Sequence, residues 1–307
     1  MTSEDLTASS LAEDRMIDSL VGLSVGDAFG SRFFGPVDLA DAADARRVPT
    51  EALWRVTDDT WMALSVVEIL RRHGRIDQDD LARSFGEHYQ MGRGYGAAMH
   101  GLLARFRSEK QWREPARQVF YGQGSFGNGS AMRIAPLGAF HADRELDFIV
   151  EEAERSAVVT HTHAEAAAGA IATTVAAALA WRARETPVEP ADFIRQVLAH
   201  VPSSEVAKGI RRAIDFDATT AVEHVAAMLG NGSHITCQDT VPYCIWLAAH
   251  NLADYETAMW NTIRGAGDID TTCAIVGGIV ATHTGRSGVP AQWIERRERL
   301  PEWPFRD

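Results

Sequence analysis

Apolar residues recur at helical spacing along nearly the whole chain, and stretches that alternate apolar with polar residues are scarce. Over 15–29, for instance, Met16, Leu20, Leu23 and Ala28 fall close to one helical face. The same period predicts helices over 61–72, 78–90, 97–108, 146–159, 164–184, 190–200, 204–216, 219–230, 241–249, 255–264, 272–284 and 290–299. The segment 117–121 is the one tempting strand. Loops rich in Gly, Pro and Asn break the series at 30–57, 91–96, 121–130, 230–240 and 285–290. No charge run, low-complexity block or internal repeat marks a linker. The chain therefore reads as all-α, a single compact multi-helix bundle over 13–307, preceded by a disordered tail over 1–12.

Composition removes several function classes. With 30 basic against 42 acidic side chains the net charge is −12, which argues against a broad nucleic-acid-binding face. Three cysteines, Cys237, Cys244 and Cys273, are odd in number and lack CxxC spacing. Neither a disulfide framework nor a zinc knuckle is expected, and a reducing cytoplasm fits. The first residues lack a basic segment followed by an apolar one, so no signal peptide is expected. The longest apolar stretch, 164–181, is alanine-rich and carries Glu165, which suits a buried helix better than a membrane span. No coiled-coil seam is evident, and a monomer is the expectation.

Two acidic clusters carry the chemistry. Thr57-Asp58-Asp59-Thr60 enters a predicted helix, and Gly265-Ala266-Gly267-Asp268-Ile269-Asp270-Thr271-Thr272 does the same near the far end of the chain. Each alone also fits an ordinary helix start, with a cap and first-turn acids that complement the dipole. Together they offer hard oxygen donors without sulfur or imidazole, the ligand preference of Mg2+, Mn2+ or Ca2+ rather than zinc. Four carboxylates plus hydroxyls suit two cations.

Between them lies Gly122-Gln123-Gly124-Ser125-Phe126-Gly127-Asn128-Gly129-Ser130-Ala131-Met132-Arg133. Its glycines let the backbone approach a ligand and aim N–H groups at phosphate, although a flexible turn reads the same way. Phe126 is placed to stack on a base, and Asn128 to pin the loop or a ribose hydroxyl. Thr160-His161-Thr162-His163 precedes the alanine-rich helix. Histidines two apart cannot share a helix face, so a joint metal site is disfavoured and a lone contact by one of them, or capping, is expected.

The order of these pieces, with Gly22-Leu23-Ser24-Val25-Gly26-Asp27-Ala28-Phe29-Gly30 first and Arg93-Gly94-Tyr95-Gly96 between, resembles the ADP-ribosylglycohydrolase family. That family includes dinitrogenase-reductase-activating glycohydrolase and the ADP-ribosyl-acceptor hydrolases. The resemblance implies an all-α fold and two Mg2+ (or Mn2+) ions held by Thr57, Asp58, Asp59, Asp268, Asp270 and Thr271. It implies an ADP-ribose cleft lined by Phe120, Gly124, Ser125, Phe126, Gly127, Asn128 and His161. It further implies hydrolysis of an N- or O-glycosidic bond between ADP-ribose and a protein side chain such as arginine, a nucleic acid or a small molecule. Asp58, Asp59 and Asp270 are the carboxylates expected to direct the water. Many relatives carry a glutamate a few residues after the first motif, where this chain has Phe34. Asp38 or a metal-binding aspartate is then left to replace it, and a binding module with little turnover is the alternative.

Overall fold

The computed structural model describes residues 3–109 and 111–306. The α-helices are α1 (Ser3–Gly30), α2 (Leu39–Asp44), α3 (Asp58–His73), α4 (Gln78–His88), α5 (Ala97–Glu109), α6 (Arg113–Gln118), α7 (Ala135–Phe140) and α8 (Leu146–Ala157). They continue as α9 (Ala164–Arg182), α10 (Pro190–Leu198), α11 (Glu205–Ala213), α12 (Val222–Leu229), α13 (Cys237–His250), α14 (Tyr255–Arg264), α15 (Ile269–Thr284) and α16 (Ala291–Arg296). Among the described residues there is no strand, only two isolated bridges, Trp54 with Arg297 and Gly127 with Thr236. The all-α expectation is met.

The pairing of α1 with α15 organises the molecule. Gly22, Gly26 and Gly30 repeat every four residues and so share one stripe of α1. A Cβ on Gly26 would lie 2.2 Å from the Cys273 carbonyl oxygen, and one on Gly22 would lie 2.3 Å from that of Gly277. The two backbones therefore touch where side chains would normally separate them. Ser19 Oγ donates to the Gly278 carbonyl at 2.9 Å, and Tyr255 Oη to that of Gly22 at 2.7 Å. This contact brings Asp27 on α1 beside Asp268 and Asp270 at the start of α15. Beyond Asp27 the same helix buries Phe29, which stacks on Trp293 with centroids 4.4 Å apart.

The alanine-rich α9 is long and apolar enough to cross a membrane by composition. Its apolar window is 78% buried, and it packs on α7, α8, α13 and α15 as a core helix, as expected.

The structure departs from the sequence reading in four places. Met1 and Thr2 lie outside the described residues, and most of the expected tail over 1–12 forms the first turns of α1. Short helices that were not expected lie inside the loop 30–57 (α2) and on either side of 121–130 (α6 and α7): they have six residues each, too few to display a period. The tempting strand at 117–121 is the end of α6 followed by left-handed backbone at Phe120 and Tyr121. Finally, α13 begins at Cys237 and keeps Pro242 inside it, whereas a proline is best placed in the first turn.

Candidate metal centre and cleft

Thr57 caps α3, its hydroxyl accepting from the Asp59 amide at 3.4 Å. Capping thus explains Thr57 but leaves the two aspartates without that role. Asp58 and Asp59 are both buried, and Asp59 Oδ1 has no hydrogen-bond partner among the described residues. In the second cluster Asp268 occupies the cap position of α15 without capping it. Its Oδ2 instead accepts from Asn128 Nδ2 at 2.7 Å. This bond pins the loop to the second acidic cluster, one of the two roles expected for Asn128. Asp270 Oδ1 accepts from the Thr271 amide at 2.9 Å.

Asp27 ties the clusters to the frame. Fully buried, it accepts from the Thr57 amide at 2.9 Å and hydroxyl at 2.8 Å, and from the Thr60 amide at 3.2 Å and hydroxyl at 2.5 Å. A carboxylate gathering four donors fixes the start of α3 against α1. A second clamp was invisible in the sequence. Arg93 forks onto Glu298 at 2.7 and 2.9 Å, while Nη1 also donates to the Val56 carbonyl at 3.0 Å. The Val56 amide donates to the same Glu298 at 3.3 Å, so the residue before Thr57 is held from both sides.

Electrostatics set this region apart. Burial lifts the Asp27 carboxyl to about 6, against hydrogen bonds from Thr60 and Thr57 that favour its charge. Burial, then the nearby Asp27 and Asp268 carboxylates, lifts Asp58 to about 7. Asp59 and Asp270 are pushed well above the ordinary range, by burial first and then by Asp270 and Asp268 respectively. Buried carboxylates that repel one another call for a cation. The orphaned Asp59 Oδ1 and the all-oxygen donor set fit Mg2+ or Mn2+. Among the described residues no three acidic, imidazole or thiol groups already converge as a closed ligand sphere. Asp268 is turned towards Asn128. The donors are right in kind.

A raised carboxyl pKa favours the fold while the group is protonated. For Asp58 that contribution is complete below the model-peptide value of 3.8 and is lost as pH rises through about 7. In chelator, wild type should therefore lose stability relative to Asp58→Asn as pH climbs across that window. The difference between the two Tm values measures it, and a constant difference contradicts the assignment.

The clusters open onto a cleft of about 440 Å3. Of the expected residues, Asp58, Asp59, Asp268, Asp270 and Thr271 line it together with Phe120, Ser125, Phe126, Gly127, Asn128 and His161. Thr57 and Gly124 do not line it. Thr57 faces Asp27, and a Cβ on Gly124, whose φ is +75°, would sit 2.0 Å from Thr162 Oγ1. Gly124 therefore seats the loop against its neighbour. Sequence reasoning missed the apolar lining supplied by Met62, Met99, Met132 and Ile235, whose spacing marks only helix faces and loops. The rings of Phe120 and Phe126 stack 6.2 Å apart at the mouth.

The segment after the first motif does not enter the cleft. Phe33 is buried against Phe29 and Trp260, and Phe34 is 52% exposed. Asp38, expected as a substitute acid, caps α2 by accepting from the Asp41 amide at 3.0 Å. A larger cavity of about 730 Å3 is lined from α4, α5 and α6 and holds neither cluster; its Asp79 is taken up by Trp112 and Arg113.

Known proteins share this architecture. The ADP-ribosylglycohydrolase family pattern matches residues 8–305. ADP-ribosylhydrolase ARH3 of Homo sapiens is 29% identical over 332 residues, covering 92% of this chain and 89% of its own. ADP-ribosyl-[dinitrogen reductase] glycohydrolase of Rhodospirillum rubrum is 24% identical, covering 95% and 93%. A solved ADP-ribosylglycohydrolase-related protein complex superposes with a TM-score of 0.61 at 24% identity, covering 92% of each chain, and supports the fold. With a pattern spanning nearly its full length, the chain belongs to the ADP-ribosylglycohydrolase family.

Proposed function

We propose that this protein is a metal-dependent ADP-ribosyl hydrolase that cleaves the glycosidic bond between ADP-ribose and an acceptor. One observation carries the reading: two clusters 209 residues apart, counted from Asp59 to Asp268, open with the glycine-rich loop onto a single cleft. Asp58, Asp59, Asp268, Asp270 and Thr271 would hold two Mg2+ or Mn2+ ions, with Thr57 bridging Asp27 and Asp59 behind them. Cations bound there supply Lewis-acid polarisation of water and charge compensation for the buried carboxylates.

The chain's own groups do the rest. One of Asp58, Asp59 and Asp270 takes a proton from a water whose oxygen bonds to the anomeric carbon, and a proton passes to the acceptor as its glycosidic bond breaks. The carboxylates also stabilise the positive charge that develops on the sugar ring as the glycosidic bond lengthens. The backbone of 125–129, pinned to the second cluster through Asn128, holds the nucleotide side of the substrate, and the methionine wall excludes bulk water.

A second reading, an ADP-ribose-binding module with little turnover, is favoured by one observation. No carboxylate of the segment 31–38 reaches the cleft, because Phe34 faces solvent and Asp38 serves as a cap. The two readings part in one experiment. The protein is incubated with arginine-linked, serine-linked, nucleic-acid-linked and O-acetyl-ADP-ribose in Mg2+ or Mn2+, and free ADP-ribose is measured. Release from at least one of them is expected, with arginine linkage the first to try. No release from any, together with a rise in Tm on adding ADP-ribose, supports the binding module instead. If neither metal nor ADP-ribose moves the Tm, the site assignment fails.

A further inference from the structure

We infer that Arg133 and Thr160 lock His161 into the tautomer with its hydrogen on Nε2, so that the cleft meets a neutral N–H donor. Arg133 is fully buried behind the cleft, its guanidinium 4.6 Å over the Phe85 ring. Nη2 donates to the Ser156 carbonyl at 3.0 Å and Nη1 to Thr160 Oγ1 at 2.9 Å. Arginine has no acceptor to offer, so the direction of that second bond is settled by chemistry alone. The Thr160 hydroxyl therefore accepts from Arg133 and keeps its own hydrogen to give. Thr160 is fully buried, and the acceptor beside it is His161 Nδ1, 2.7 Å away. A hydrogen on Nδ1 would instead place two donors face to face or leave the hydroxyl hydrogen buried and unmatched.

The other ring nitrogen is free for a ligand. His161 lines the cleft, and its Nε2 makes no hydrogen bond among the described residues. The ring edge rests on the glycine-rich loop: a Cβ on Gly129 would sit 2.9 Å from Cε1 and 3.0 Å from Nε2. Ring orientation is thus fixed from behind by Thr160 and from the front by a glycine backbone. Burial, and then Arg133, holds the imidazole pKa down at about 3, so the ring stays neutral at working pH. Such a group donates a hydrogen bond without contributing charge or acting as an acid. Arg133 and Thr160 are positioning residues, and the ligand feature they select is an acceptor oxygen.

That the acceptor oxygen belongs to ADP-ribose rests on the proposed function; the place of the hydrogen does not. The test is a long-range 1H–15N spectrum of the histidines in the full-length, metal-free protein, with His161 assigned by its absence in His161→Gln. A pyrrole-type Nε2 and a pyridine-type Nδ1, unchanged between about pH 6 and pH 8, are expected. Thr160→Val, which keeps the shape and removes the hydroxyl, should give mixed tautomers and weaken ADP-ribose binding about tenfold. Thr160→Ser should restore both. A pyrrole-type Nδ1 in the wild type, or an unaltered single tautomer in a folded Thr160→Val, overturns the inference. Failure of ADP-ribose to bind the wild type at all counts against the proposed function, while the spectrum still decides the tautomer.

Discussion

Replacing Asp59 or Asp270 by Asn should lower affinity for Mn2+ or Mg2+ at least about tenfold, measured by calorimetric titration of chelator-stripped protein. Losing a partner that merely orients a metal ligand already costs about 10–100-fold, and here a charged oxygen donor itself is lost. The same substitutions should not harm the metal-free fold. Both carboxyls are raised well above their ordinary range by burial and by one another, so ionising them opposes folding. A neutral amide of the same shape relieves that repulsion, and the metal-free Tm should hold or rise. The pairing of lost metal affinity with retained stability separates a functional carboxylate from a structural one. If the aspartates were ordinary helix-start acids, the variants would lose stability and leave metal affinity untouched.

Gly26→Ala should destabilise the protein by about 2–3 kcal/mol, a fall in Tm of roughly 5 °C. Elsewhere inside a helix the same change gains about 1 kcal/mol, so its sign here reports tertiary packing. The added methyl would lie 2.2 Å from the Cys273 carbonyl oxygen and 2.8 Å from the carbonyl carbon, and backbone cannot rotate out of the way. The helices α1 and α15 must separate. Asp27 and the start of α15 lie on either side of that contact, so metal affinity should fall together with stability. A stable Gly26→Ala would mean that α1 and α15 have slack between them.

The sequence made these features legible to different degrees. Long helices declared themselves, α3 through its capping signal and α9 and α15 through long, nearly unbroken apolar runs that are buried on every face. The short helices α2, α6 and α7 did not, since six residues cannot display a face. Pro242 hid the first turn of α13 because tertiary packing overrode a local preference. The acidic clusters were readable as donors, and the structure brings them to one cleft, but Thr57 and Gly124 turn out to support rather than line it. Arg93 and Glu298 illustrate what no local pattern encodes: 205 residues separate them, and each alone looks like a surface charge. The GLSVGDAFG segment was visible as a motif, yet its use as a helix-packing stripe follows only once α15 lies against it.

The central claim is that both clusters together serve one hydrolytic site. The most direct measurement is the initial rate of ADP-ribose release from a cleaved substrate as chelator-stripped protein is titrated with Mn2+. The account predicts no release without metal and a rate that saturates near two equivalents per chain. It also predicts comparable losses in Asp59→Asn and Asp270→Asn, whose residues come from opposite ends of the chain. Full release in chelator, or a wild-type rate in either variant, would contradict it.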